Sequence, residues 1–258
     1  LSMSKQIILC ITEGGFKKNK INEVSFIDKY LKPKYLSEEN IEFLCYGTNI
    51  YELFRELQCD EFLDTYSIIQ KNTKGENSES PIYDRDDIAE IYLFFDLDNH
   101  ATQKSLISKD IDSISNMLDL FDNETDNGKL YISYPMFEAY KHPIQKEKIS
   151  CLSIGANYKK TVASICDKRL EQLNKLSIEQ WNDYLLNHFK HIDYFLHGSD
   201  FLPEQYLAGE FTQSFVYQKQ LKEYIEPDEK IHVISPFVLF LLDYLGNNLL
   251  TRLKTEVL

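Results

Sequence analysis

The chain has 258 residues, 43% of them hydrophobic and 27% charged. That is enough to bury a core without disulfide or zinc staples, and it excludes an intrinsically disordered chain. Asp and Glu number 41 against 28 Lys and Arg, a formal net charge of −13, which argues against a protein that coats nucleic acid or a membrane surface by electrostatics alone.

The expected elements alternate along the first half. Leu1-Ser2 ahead of Met3 reads as a cloning remnant, and the apolar run Ile7 to Ile11 is too short for a signal-peptide core. Gln6 to Thr12, apolar throughout Ile7 to Ile11, reads as a buried strand of a parallel sheet. A helix follows from about Asn22 to Leu31, then a second strand, Ile41 to Tyr46, ended by Gly47. The next helix spans about Ile50 to Asp64. Lys71 to Glu90 is polar, carries Gly75 and Pro81, and reads as a mobile surface connection. The third strand, Ile91 to Phe95, has the strongest pattern, and a helix at about Ser105 to Phe121 leads to a fourth, Leu130 to Tyr134, stopped by Pro135. Strand–helix alternation of this kind is the signature of an α/β sheet.

After His142-Pro143 the texture changes. Thr161 to Leu176, Ser177 to Leu196, Leu202 to Ile225 and Ser235 to Leu253 read as helices, with a short strand at Ile231 to Ile234. The expected division is an α/β domain over 1–145 and a mainly helical region over 146–258. Phe237 to Leu242 is apolar but bracketed by Pro236 and Asp243, far short of a membrane span. Five cysteines form no Cys-x-x-Cys pair and are odd in number, which points to a reduced, cytoplasmic setting.

The chemistry is expected at the strand ends. The first strand runs into Thr12-Glu13-Gly14-Gly15 and the third into Asp96-Leu97-Asp98-Asn99-His100. Carboxylates there lie along the C-terminal edge of the sheet, where ligands bind in open α/β folds. The period of two sends both acids of Asp-x-Asp to one side. Three converging carboxylates repel unless a cation neutralises them, and Mg²⁺ or Mn²⁺ suits hard oxygen ligands while keeping waters for a substrate phosphate.

This combination resembles the Toprim domain, whose hallmarks are a Glu-Gly after the first strand and an Asp-x-Asp after a later one. A third segment, Ser133-Tyr-Pro-Met-Phe-Glu138-Ala-Tyr140, is similar to the Pro-x-Phe-Glu segment of RloB-like and AbiL-type Toprim proteins of phage-defence loci, which share their core with OLD-family nucleases. The resemblance covers roughly residues 5 to 142 and implies a small Toprim-like parallel sheet flanked by helices. It also implies a metal-dependent nuclease cutting DNA or RNA, a cytoplasmic effector of abortive infection beside an ATPase partner. Glu13, Asp96 and Asp98 would hold Mg²⁺ or Mn²⁺. Glu138 and Glu23 are the further acids, Lys141 and Lys104 the cations nearest the motifs, and Gly14 and His100 candidate phosphate contacts.

Other readings stand beside this one. A haloacid-dehalogenase phosphatase also opens on Asp-x-Asp, but His100 takes the place of its Thr. A catalytically silent Toprim-like module working through a protein partner suits the −13 charge and the presence of only four Arg. Glu13-Gly14-Gly15 by itself reads equally as a turn in which Gly supplies positive φ. His188, His191 and His197 do not share one helix face and read as packed or solvated. No Walker A motif occurs, so ATP-driven sensing would have to come from a partner.

Overall fold

The computed structural model describes residues 6–15, 20–60, 62–76, 82–97, 111–144, 151–153, 157–199 and 202–255. The chain is an α/β protein built on a mostly parallel five-stranded sheet of order β2-β1-β3-β5-β4. β1 (Ile7–Thr12) is buried along its whole length, as an all-apolar central strand must be. It pairs in parallel with β2 (Ile41–Cys45) on one side and β3 (Ile88–Asp96) on the other. β5 (Gly128–Ser133) adds the next strand and returns antiparallel onto the two-residue β4 (Asp122–Asn123).

By compactness the chain falls into two units, 1–96 with 116–131 and 97–115 with 132–258. In the first, α1 (Glu23–Phe26) is entered through a capping box. The Asn22 side chain accepts from the Ser25 N–H, and the Ser25 hydroxyl accepts from the Asn22 N–H. The helix passes Leu31, where its end was expected, through a widened turn (Ile27–Leu31) into Lys32–Tyr35. α2 (Ile50–Cys59) buries Ile50, Leu53, Phe54 and Leu57 at helical spacing and stops before Asp64. α3 (Thr65–Glu76) occupies the start of the stretch read as a loop. Its first turns bury Tyr66, Ile68 and Ile69, which hold a helix whose polar tail carries no apolar stripe. α4 (Ile111–Leu120) precedes β4. Tyr131 stacks on Phe94 at 5.5 Å and lies 6.2 Å from Tyr92, an aromatic seam on one face of the sheet.

The second unit is mainly helical. β6 (Cys151–Ser153) pairs antiparallel with β7 (Lys230–His232), with Cys151 opposite His232. α5 (Tyr158–Ile165) ends well before Leu176, and two short 3₁₀ turns, Lys168–Glu171 and Leu173–Lys175, fill the remainder. α6 (Ile178–His197) is the long helix expected, capped by Ser177 and closed by Gly198 in the left-handed region. Trp181, Leu185, Phe189 and Ile192 form its inner stripe, all fully buried. α7 (Gln213–Gln220) starts eleven residues after Leu202, at the Thr212 cap. α8 (Phe237–Leu245) is a buried core helix separated from α9 (Asn247–Thr255) by Gly246 at φ 60°. Among the described residues no helix is long and apolar enough to cross a membrane.

Candidate active site at the edge of the parallel sheet

The site begins with the register of β1 and β3. Thr12 lies opposite Phe94, so one step further Glu13 stands level with Phe95 and Gly14 with Asp96. Adjacent strands run about 4.8 Å apart, so Glu13 and Asp96 close the same sheet edge one residue out of step. Asp96 is the last residue of β3 itself, not the first beyond it. The chain leaves β1 to build β2 on one side and returns to build β3 on the other. The two acids therefore flank the point where the winding reverses, the crevice in which open α/β sheets bind ligands.

The Glu13-Gly14-Gly15 loop is held from its carbonyl side. The Thr12 carbonyl accepts from the Tyr46 N–H at 3.0 Å, and the Glu13 carbonyl accepts from the Gly47 N–H at 3.2 Å and from Cys45 Sγ at 3.4 Å. The Gly14 carbonyl accepts from Thr12 Oγ1, and the Gly15 carbonyl accepts from Asn22 Nδ2, each at 2.8 Å. All four carbonyls are thus spent inward, while among the described residues the Gly14 and Gly15 amides donate to nothing. Neither glycine is at positive φ, which removes the turn explanation for them. A Cβ on Gly14 would meet nothing within 4 Å. Among the described residues these two amides are left over once the carbonyls are bonded, an arrangement that can receive anionic oxygens.

Thr12 and Asn22 were not singled out by sequence. Their signals were a lone hydroxyl ending an apolar strand and the Asn-x-x-Ser spacing of a capping box. Glu23 sits in the first turn of α1, buried at 8% exposure. Asp98, His100 and Lys104 lie outside the described residues. Glu138 and Lys141 fall in the second unit, on a 3₁₀ turn, Phe137–Lys141, that follows a cis Tyr134–Pro135 bond. There the Glu138 carboxylate faces Lys159 Nζ at 3.8 Å.

The donors at the sheet edge are carboxylate oxygens, which fit a hard divalent cation. Among the described residues no group of three or more His, Cys, Asp or Glu is placed to hold a metal. Glu13 and Asp96 are the described acids of the two motifs, and the third acid, residue 98, lies outside the described residues. The other candidate ligands are packed differently. His188 is buried, His191 Nε2 donates to the Val233 carbonyl at 3.1 Å, and His197 Nδ1 meets Asp193 at 2.7 Å. Burial pushes the Cys10 thiol far up, leaving it an inert core group.

No family model matches the chain, and neither a curated protein nor a solved structure matches it.

Proposed function

We propose that the chain is a Toprim-like, divalent-metal-dependent nuclease that hydrolyses phosphodiester bonds of DNA or RNA. Glu13, Asp96 and Asp98 would hold Mg²⁺ or Mn²⁺. The observation that carries the proposal is the adjacency of β1 and β3, which sets Glu13 beside Asp96 at the winding reversal. Asp98 joins them from the Asp-x-Asp spacing. The bound cation would supply an activated water and charge neutralisation at the leaving oxygen. The protein's own part is positional. Inward hydrogen bonds fix the Glu13 loop, and the Gly14 and Gly15 amides receive non-bridging phosphate oxygens. Glu138, Lys141, His100 and Lys104 complete the proposal as further acid, cation and phosphate contacts. A role as the effector of an anti-phage system, with an ATPase partner, follows from the Toprim resemblance.

The test is titration calorimetry of Mn²⁺ and Mg²⁺ into wild type and into Asp96→Ala/Asp98→Ala, with cleavage of single- and double-stranded DNA and RNA alongside. Binding and cutting lost together in the variant are the expected result. Cutting that survives both Glu13→Ala and Asp96→Ala would sink the site. Metal binding without any cutting would favour the silent interaction module that the net charge of −13 also suits.

A further inference from the structure

The helical unit contains a cavity of about 300 Å³, the lower end of small-molecule sites. One wall is a stripe of α6, Gln180, Asp183, Tyr184, Asn187 and His188, at helical spacing. This stripe is polar, whereas the adjoining stripe, from Trp181 to Ile192, is core. A second wall is His142 with Pro143 and Ile144, and a third is Leu170 and Leu176 with Asp167 and Arg169.

Two imidazoles, 8% and 6% exposed, define the chemistry. His142 Nδ1 lies 3.1 Å from Tyr158 Oη. A phenol is the better donor of this pair, so Tyr158 is assigned as donating, which places the ring proton on Nε2. The His188 ring packs on Tyr184 at 4.4 Å beside the Tyr140 carbonyl, which accepts from Tyr184 Oη at 2.9 Å. Burial holds both rings neutral, with pKa values lowered to about 4 and about 3. The cavity is therefore lined by two neutral imidazoles, each with one N–H and one lone-pair nitrogen, the polar complement of a heterocycle edge. Aliphatic carbons of Ile144, Leu170 and Leu176 suit the faces of a flat ring.

The charged groups decide what the ring carries. Asp167 is held below the usual carboxylate range by Arg169, whose Nε lies 2.9 Å and Nη2 2.6 Å from Asp167 Oδ2. Asp183 adds a second, exposed carboxylate. With the lining's guanidinium committed to Asp167, the charge balance repels phosphate. Carboxylates do accept from vicinal hydroxyls, as ribose-binding acids do.

We propose that this cavity binds a free nucleoside, a flat neutral heterocycle bearing hydroxyls and no phosphate. None of its residues belongs to the carboxylate edge of the sheet, so its failure leaves the nuclease reading untouched, and the reverse also holds.

The test is titration calorimetry of the full chain with adenosine, guanosine, cytidine and uridine, and with their 5′-monophosphates. The expected result is saturable one-to-one binding of at least one nucleoside, with its monophosphate weaker by about tenfold or more. Asn187→Trp, at an exposed position on the α6 wall, should fill the cavity and abolish binding without disturbing the fold. The proposal is overturned if no nucleoside saturates at about 1 mM. It is equally overturned if a monophosphate binds as tightly as its nucleoside, or if a folded Asn187→Trp binds unchanged.

Discussion

Two glycines show how differently one residue type is used. Gly128 opens β5 at φ 104°, and a Cβ there would lie 2.7 Å from Leu93 Cδ1 and 2.9 Å from Ile91 Cγ2. Its absent side chain lets β5 close on β3, the strand that carries Asp96. Gly128→Ala combines left-handed backbone strain with overpacking and should cost about 3 kcal/mol in urea unfolding. Gly14 has neither constraint, so Gly14→Ala should leave stability within about 0.5 kcal/mol. If the Gly14 amide receives phosphate, that same substitution narrows the approach and weakens substrate binding while metal affinity is unchanged. A large loss of stability at Gly14 would instead return the loop to a purely structural role.

Helix ends and helix interiors follow local rules that packing then extends. Two helices pass through widened turns, Ile27–Leu31 and Leu221–Ile225, and each is followed two residues later by a proline, Pro33 or Pro227. A proline inside a helix lacks an N–H, and its ring crowds the carbonyl four residues back. A wider turn moves that carbonyl aside, so the helix continues where the sequence pattern alone ends it. α6 is bounded by the rules as written. Ser177 Oγ accepts from the Gln180 N–H at 3.3 Å, and Gln180 Oε1 accepts from the Ser177 N–H at 2.9 Å. Ser177→Ala should therefore cost about 1 kcal/mol in chemical denaturation. An unchanged midpoint would mean that the buried stripe from Trp181 to Ile192 fixes the helix unaided.

As a whole the helical unit is built to lose stability in acid. His232 is fully buried, its two ring nitrogens without a hydrogen-bond partner among the described residues, stacked on Phe195 at 4.6 Å and on His191 at 4.7 Å. Tyr224 is the further ring beside it, at 5.7 Å. Burial, reinforced by the His191 and His142 charges, lowers its pKa to about 2. His188 and His142 are lowered to about 3 and about 4 for the same first reason, and His191 is lowered too. The folded pKa values lie below the unfolded one, so the unfolded chain binds more protons in that window. Stability is complete above about pH 6.5 and falls as pH drops towards the folded values, by on the order of 1 kcal/mol per pH unit for each imidazole. Urea midpoints at neutral pH and at about pH 5 measure this. His232→Phe, which keeps the stacked ring and removes one of these four titrations, should lower the slope by one imidazole's share, on the order of 1 kcal/mol per pH unit. An unaltered slope would locate the acid sensitivity elsewhere.

The sequence by itself determined the four main strands of the sheet, the long capped helix and the two motif ends, because an all-apolar run or a Ser-x-x-Gln cap is stabilised by its immediate neighbours; the short strands Asp122–Asn123 and Cys151–Ser153 carry no such run. It also named Glu13 and Asp96. That they share one edge was decided by strand order, since only β1 lying between β2 and β3 aligns Thr12 with Phe94. The helix at Thr65–Glu76 and the passage through Pro33 were likewise invisible, because burial of three side chains and a widened turn outweigh local propensity there. The cavity of the helical unit was the least legible feature. Its lining comes from residues 142–144, 167–176 and 180–188, each unremarkable alone, and only tertiary packing brings their donors, acceptors and carboxylates around one space.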